Sequence, residues 1–175
     1  MKTLLAAAGL AAGFAAAAAV QAGEGATAID NYFRVDDRVA TGAQPTLAQL
    51  AVLKDEGVRT VINLREPGEF DAAAEEATAR QLGLVYVSIP VKTADPKPEQ
   101  VDAFLEATKD PKIYPAFIHC GTGNRVGAFW MIRRVLVDGW KPEEAEKEAR
   151  QIGLKSASLR DFALDAIAKR AKKDK

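Results

Sequence analysis

The stretch YPAFIHCGTGNR, residues 114–125, determines the fold class that we expect for this chain. Its first six residues are mostly apolar, which is typical of a short buried β-strand, and they run directly into a glycine-rich loop. A helical pattern follows from about Asn124 to Asp138. In open α/β sheets ligands bind beyond the carboxyl ends of the strands, so Cys120, the first residue of the loop, falls where a ligand would bind.

Strand and helix patterns alternate along the rest of the chain. A polar lead-in and the turn 42–45 precede a capping box that begins at Thr46. Strands are predicted over 58–64 and 84–89, and helices over 46–57, 71–82, 98–109, 142–151 and 158–172. Short connections between such elements imply βαβ units. We therefore predict an α/β fold with a central, mainly parallel sheet and helices on both faces.

Residues 1–22 match a secretory signal peptide. Lys2 supplies the positive start, residues 4–20 are uncharged and rich in alanine, and small residues end at Ala22. A membrane-spanning helix needs about 20 strongly apolar residues, and this stretch is short, weakly apolar and interrupted by glycine. We expect a periplasmic or secreted protein with no stable membrane anchor after cleavage, whose residues 23–175 form a single domain.

Composition excludes several classes of function. The chain has 24 basic and 24 acidic residues, so it offers no electrostatic case for binding nucleic acid. Its one histidine and one cysteine cannot build a usual zinc site, and we expect neither a metal nor a cofactor. A lone cysteine forms no internal disulfide, so Cys120 is buried, paired with another chain or kept free for chemistry.

The loop combines three features that suit an attack on a phosphate-like group. Gly121 and Gly123 let the backbone aim several N–H groups inward, which makes an anion nest at a helix N-terminus. The same field stabilises a thiolate at Cys120. Arg125 adds a planar fork that can grip two oxygens. The pattern makes Cys120 a candidate nucleophile and residues 121–125 a candidate anion cradle.

This loop resembles the signature of cysteine-dependent phosphatases, which is His-Cys, five residues, then Arg. His119, Cys120 and Gly123 match, but only four residues separate Cys120 from Arg125, and Val126 replaces the usual Ser or Thr. A closer resemblance rests on four segments in order. They are residues 40–45 (ATGAQP), 61–65 (VINLR) with Gly68-Glu69, 89–91 (IPV) and the loop HCGTGNRVGA.

These four segments are similar to the beta-lactamase-hydrolase-like phosphatase family, bacterial relatives of the dual-specificity phosphatases. The similarity covers roughly residues 35–137, and the loops of that family also place the arginine five positions after the cysteine. The resemblance implies a cysteine-phosphatase-like fold and a phosphorylated protein or small molecule as substrate.

The resemblance also implies roles for individual residues. Cys120 would form a phosphocysteine intermediate, and Arg125 would stabilise the transition state. His119 would orient the loop and support the thiolate. Asp95, in a loop before the cysteine, would be the general acid, although a role as a turn residue before Pro96 fits equally well. The residues that would bind substrate are His119, Gly121, Thr122, Gly123, Asn124 and Arg125.

Two other functions remain open at this stage. Single-domain rhodaneses also use a six-residue cysteine loop, and a tighter ring suits a persulfide on Cys120. Against a rhodanese, Gly121 stands where those sulfurtransferases commonly have a basic residue, and the upstream segments favour the phosphatases. The second alternative is a non-catalytic module that binds phosphate through an inherited cradle.

Several nearby residues have simpler interpretations. Arg65 and Glu66 follow a strand, where they could line the same pocket, but surface or structural ion pairing is the preferred interpretation for both. Trp130 and Met131 are expected in the core, whereas Arg133 and Arg134 are expected on a solvated face.

Overall fold

The computed structural model describes residues 25–172, so the predicted signal peptide, residues 1–22, lies outside the described residues. The strands are β1 (Phe33–Arg34), β2 (Val39–Gly42), β3 (Thr60–Asn63), β4 (Val85–Ser88) and β5 (Ala116–His119). The helices are α1 (Leu47–Asp55), α2 (Ala72–Gln81), α3 (Pro98–Lys109), α4 (Asn124–Leu136), α5 (Pro142–Ile152) and α6 (Ala157–Ala171). Within residues 25–172, no helix is long and apolar enough to cross a membrane.

The strands form one sheet in the order β1-β2-β5-β3-β4. Strands β2, β5, β3 and β4 are parallel, and β1 pairs antiparallel with β2 at one edge. Central β5 is buried along its whole length, as expected for a parallel strand that is covered on both sides. The prediction of a mainly parallel sheet is confirmed.

Helices cover both faces of this sheet. Because side chains alternate along a strand, neighbouring residues enter different cores. Ile62 and Ile118 pack in the larger core with residues of α3, α4, α5 and α6. Val61 and Phe117 pack in a smaller core with residues of α1 and α2. The predicted arrangement of helices on both faces is therefore also confirmed.

Local signals set most helix ends where the sequence predicts them. Thr46 and Gln49 form the capping box that opens α1, and Asp71 caps α2 by accepting from the N–H of Ala74 at 3.0 Å. Pro98 is the first residue of α3, where its missing N–H costs nothing.

Two strands, β1 and β2, were not predicted from the sequence. Residues 39–42 (VATG) form β2, which lies beside β5, so the interpretation of this region as a polar lead-in is wrong. A four-residue segment that ends in glycine carries little intrinsic β signal. Its pairing with β5 and β1 makes it a strand.

The end of α4 also differs from the prediction. Trp130 and Met131 lie in the core as expected, but Arg133 and Arg134 are buried and not solvated. The guanidinium of Arg134 is held by both carboxylate oxygens of Glu148, at 2.7 and 2.9 Å, and it stacks on an exposed tryptophan, Trp140. Helix α5 supplies Glu148, which neutralises a charge that would otherwise be costly to bury.

A groove of about 600 Å³ lies between α3, the end of α4 and α6, where Leu105, Leu136 and Phe162 line it. Leu136 is the last residue of α4, whereas Cys120 lies before Asn124, the first residue of the same helix. The helix is about 20 Å long, so the groove is remote from the Cys120 loop.

Candidate active site

The carboxyl ends of three parallel strands bring the candidate residues to one edge of the sheet. Gly42, Asn63 and His119 end β2, β3 and β5 in the same register. Cys120 therefore leaves the sheet beside the segments that carry Gln44 and Arg65. This edge is the expected ligand site of an open α/β sheet.

The loop after β5 encloses the sulfur of Cys120. Residues 121–123 bend sharply, and α4 begins at Asn124. The backbone N–H of Gly123 donates to Sγ of Cys120 at 3.1 Å. The sulfur thus lies at the positive end of the α4 dipole, which stabilises negative charge there. Only 1 % of Cys120 is exposed, so any substrate that reacts with the sulfur has to pass between the residues that surround it.

Gly123 is required by two independent constraints. Its φ is +84°, a region that residues with a Cβ rarely adopt. A Cβ at this position would also lie 2.5 Å from the carbonyl oxygen of Ile152, at the end of α5. The loop therefore rests directly on the backbone of the α5–α6 connection.

Asn124 ties the same connection to the loop. Its Oδ1 accepts from the N–H groups of Lys155 and Ser156, at 2.8 and 2.9 Å. On the other side, Nδ2 of Asn31 donates to the carbonyl oxygen of Thr122 at 3.3 Å. The Cys120 loop is thus supported from segments before and after it in the chain.

The Arg125 side chain is buried and folds back over the loop. A Cβ placed on Gly121 would lie 3.5 Å from Nη2 of Arg125. Nη1 and Nη2 donate to the two carboxylate oxygens of Glu69, at 2.5 and 2.7 Å, and Nη1 also donates to the carbonyl oxygen of Val91 at 2.8 Å. Burial lowers the pKa of Arg125, but the hydrogen bonds and charges of Glu69 and Cys120 raise it by a larger amount. The net pKa is above its ordinary value, so the guanidinium stays charged.

Glu69 is an anion at neutral pH. The hydrogen bond from Arg125 is the main reason that the pKa of Glu69 is lowered from 4.5 to about 2. Arg125 binds both carboxylate oxygens of Glu69, so Glu69 is engaged in this ion pair and we do not assign it as the general acid. Arg65 also pairs with it, since Nε lies 3.4 Å from Oε2 of Glu69. The expected ion pairing of Arg65 is confirmed.

His119 lies beneath the loop. Its Nε2 is 2.7 Å from Oε1 of Glu75, and its ring stacks on that of Phe117 with centroids 5.8 Å apart. Both His119 and Glu75 are fully buried. These contacts favour the orienting role predicted for His119, and its direct contact with substrate stays a prediction.

Comparison with known proteins identifies the family. Residues 11–167 match the model of the PTP-NADK family, described as a DSP-PTPase phosphatase fused to NAD+ kinase. The chain belongs to this phosphatase family. The predicted relationship to the beta-lactamase-hydrolase-like phosphatases is also confirmed.

Two curated relatives of this chain are beta-lactamase hydrolase-like proteins. The Xylella fastidiosa protein is 28 % identical over 116 residues, which are 64 % of this chain and 27 % of the relative. The Agrobacterium fabrum protein is 27 % identical over 107 residues, which are 59 % of this chain and 25 % of the relative. The matched part of the chain thus spans about a quarter of the length of these relatives.

Solved structures share the fold of this chain. A DUF442 protein of Shewanella putrefaciens with a provisional phosphatase assignment superposes with a TM-score of 0.70 at 26 % identity, covering 83 % of this chain and 91 % of that one. The core catalytic domain of the S. cerevisiae PP-IP phosphatase SIW14 superposes with a TM-score of 0.67 at 19 % identity, covering 83 % and 93 %. At this lower identity the second likeness concerns the fold alone.

Asp95, the predicted general acid, lies on the loop that follows Val91. Its side chain is exposed and pairs with Nζ of Lys97 at 2.6 Å, and its N–H donates to the carbonyl oxygen of Lys92. Within residues 25–172, none of its hydrogen bonds or ion pairs reaches the Cys120 loop. The role of Asp95 as the acid therefore stays a prediction.

Three site residues had no role assigned from sequence. Gln44 and Glu69 lie in two of the four segments that mark the family resemblance, so a signal for them was present. Glu75 had none, because a glutamate in a helical pattern is ordinarily exposed. Its burial against His119 depends on the packing of α2 on the sheet.

Proposed function

We propose that this phosphatase hydrolyses a phosphate monoester through a phosphocysteine intermediate on Cys120, as a protein-tyrosine or dual-specificity type of enzyme. The observation that carries the proposal is the surroundings of Sγ. The N–H of Gly123 points at the sulfur from the start of α4, and the charged Arg125 guanidinium lies over the same loop. These surroundings support the proposal that a thiolate and a phosphate are held at the same place.

The first chemical step transfers the phosphoryl group to sulfur. The thiolate of Cys120 attacks phosphorus, an S–P bond forms and the ester O–P bond breaks. The leaving oxygen takes a proton from Asp95, the proposed general acid. Backbone N–H groups of residues 121–125 and the guanidinium of Arg125 stabilise the charge on the equatorial oxygens.

The second step returns the enzyme to its starting state. Water attacks phosphorus, the S–P bond breaks, and Asp95 accepts the proton that the water loses. Inorganic phosphate and the Cys120 thiolate are released. No metal or other cofactor enters the proposed sequence of bonds made and broken.

A two-substrate assay tests this proposal. Purified protein is incubated with p-nitrophenyl phosphate and with a phosphotyrosine peptide, and separately with thiosulfate plus cyanide. We expect phosphate release that falls by roughly a thousandfold or more in Cys120→Ser, while the thermal unfolding of the variant matches that of the wild type.

Each other outcome contradicts the proposal in a different way. Thiocyanate formation without phosphate release would indicate a sulfurtransferase that carries a persulfide on Cys120. The absence of both products, with inorganic phosphate still protecting Cys120 from iodoacetamide, would indicate a non-catalytic phosphate-binding module.

We also propose that the phosphatase is exported, because residues 1–22 have the pattern of a cleavable signal. Expression in a bacterium followed by osmotic shock and intact-mass measurement tests this proposal. The expected product is a periplasmic chain that begins at Gly23. Full-length protein confined to the cytoplasmic fraction would contradict export.

A further inference from the structure

Six side chains form one continuous hydrogen-bonded chain around the Cys120 loop, here called the polar belt. It runs from Arg125, in the first turn of α4, to His119, the residue before Cys120. Its members are Arg125, Glu69, Arg65, Gln44, Glu75 and His119. The belt thus joins the two ends of the loop through segments that follow β2 and β3 and through α2.

Gln44 connects the two halves of the belt. Its Oε1 accepts from Nη1 of Arg65 at 2.8 Å, and its Nε2 donates to Oε2 of Glu75 at 2.5 Å. Arg65 is further fixed by its stacking on Phe70, with 4.8 Å between the guanidinium carbon and the ring centroid. Nη2 of Arg65 donates to the carbonyl oxygen of Glu69 at 2.5 Å. Arg65 therefore fixes both the backbone and the side chain of Glu69.

Glu69 and Val91 use three of the N–H donors of Arg125. An arginine has five N–H donors in a rigid plane. Both hydrogens of Nη1 are used, one by Glu69 and one by the carbonyl oxygen of Val91, and one hydrogen of Nη2 is used by Glu69. Glu69 and Val91 take neither Nε nor the second hydrogen of Nη2, and the other group among residues 25–172 that hydrogen-bonds to the guanidinium is Cys120. These two donors lie along one edge of the fork, and such an edge matches two oxygens of a phosphate.

We propose that Glu69 is a positioning residue, which holds the end of the Arg125 guanidinium so that its remaining edge is presented to the substrate phosphate. This inference rests on the proposed phosphatase function. Glu69 occupies the Nη1–Nη2 end of the fork and takes neither Nε nor the second hydrogen of Nη2, so it orients Arg125 without taking the donors that the phosphate needs. Because its pKa is lowered to about 2, Glu69 is an anion at neutral pH and keeps this grip there.

Glu69→Gln and a matched control test the proposal. Gln keeps the shape of the side chain and removes its charge. The control is Glu76→Gln, because Glu76 forms an exposed pair with Arg80 at 2.7 Å on α2. Two quantities are measured: kcat and KM for p-nitrophenyl phosphate, and the concentration of inorganic phosphate that halves the rate of Cys120 alkylation by iodoacetamide.

We expect Glu69→Gln to lower kcat roughly tenfold to a hundredfold, because a small misplacement of an aligned group has that effect. It should also raise the half-protecting phosphate concentration at least severalfold, while Glu76→Gln changes neither quantity. In an Arg125→Ala background, Glu69→Gln should lower the residual turnover no further, since its effect acts through Arg125.

Two results would overturn the inference. One is a Glu69→Gln variant with wild-type phosphate protection or faster turnover, which would make Glu69 a bystander or a competitor of phosphate. The other is an equal loss of turnover with and without Arg125, which would mean that Glu69 acts through the fold. If the wild type shows phosphate protection but no turnover, loss of protection in Glu69→Gln still supports positioning while the proposed function fails.

Discussion

Nε2 of His119 lies 2.7 Å from Oε1 of Glu75, and the two side chains are buried together beneath the Cys120 loop. Burial raises the pKa of Glu75, but the interactions with His119 and the hydrogen bonds with Gln44 and Tyr86 together lower it more, so the net pKa is below its ordinary value. Glu75 is therefore the anionic partner that fixes the residue before Cys120 to α2.

Removal of this partner should destabilise the fold. Glu75→Ala leaves both His119 and Gln44 without their acceptor in the core, and we expect a loss of about 3–5 kcal/mol in the free energy of unfolding. Glu75→Gln keeps an acceptor and should lose only about 1–3 kcal/mol. Urea unfolding measures both values. A Glu75→Ala variant as stable as Glu76→Ala, the change at the exposed neighbour, would contradict this account.

The general acid can be tested through the leaving group. If Asp95 protonates the leaving oxygen, Asp95→Asn should lower kcat roughly a hundredfold with phenyl phosphate, whose leaving group is a poor one. It should have much less effect with p-nitrophenyl phosphate, because p-nitrophenolate leaves without help.

Asp165→Asn is a matched control for Asp95→Asn. Asp165 pairs with Lys169 at 2.6 Å, as Asp95 does with Lys97, and its exposure is similar at 55 % against 58 %. This control should leave turnover of both substrates unchanged. Equal losses of Asp95→Asn on the two substrates would indicate that Asp95 is a turn residue and that another group supplies the proton.

The close contact between the Cys120 loop and the end of α5 can be tested at Gly123. Gly123→Ala combines an unfavourable φ with a Cβ placed 2.5 Å from the carbonyl oxygen of Ile152. At Gly139, φ is +73° and no atom lies within 4 Å of an added Cβ, so Gly139→Ala has only the cost of the unfavourable φ. This control should lose about 1 kcal/mol of stability. Gly123→Ala should lose about 1–3 kcal/mol more, together with most of its turnover. Equal stability losses would mean that the loop does not rest on Ile152.

Acid should weaken the grip of Glu69 on Arg125. Because the pKa of Glu69 is lowered from 4.5 to about 2, this carboxylate stabilises the folded state above pH 4.5 and loses that effect as pH falls toward 2. The difference in unfolding free energy between wild type and Glu69→Gln should be constant above pH 4.5 and shrink below it. Urea unfolding at a series of pH values measures the difference. A difference that does not depend on pH would contradict a charged Glu69–Arg125 pair.

Local signals made much of the fold predictable from the sequence. The apolar run before Cys120, the capping box at Thr46 and Pro98 as a first helical residue each specify a structure within a few residues. Strand β2 was missed because it is defined by its pairing with β5, which lies about 75 residues further along the chain. The buried Arg134 was missed because its partner Glu148 is brought in by another helix.

In the candidate site, too, the features that depend on adjacent residues were predicted and those that depend on distant residues were not. Cys120 and Arg125 were predicted because the loop that holds them is continuous in sequence. The partner of Arg125 was not predicted, because Glu69 precedes it by 56 residues and only the sheet brings the two together. Sequence therefore indicates the reacting groups, and the structure adds the polar belt that orients them.

The phosphocysteine itself provides the most direct test of the proposed chemistry. Wild-type protein is mixed with p-nitrophenyl phosphate, quenched in acid within milliseconds, digested and analysed by peptide mass spectrometry. We predict one phosphoryl group on the peptide that contains Cys120, formed in step with the first burst of p-nitrophenolate and absent from Cys120→Ser. Steady release of phosphate with no phosphoryl group on Cys120 at any quench time would contradict nucleophilic catalysis by this residue.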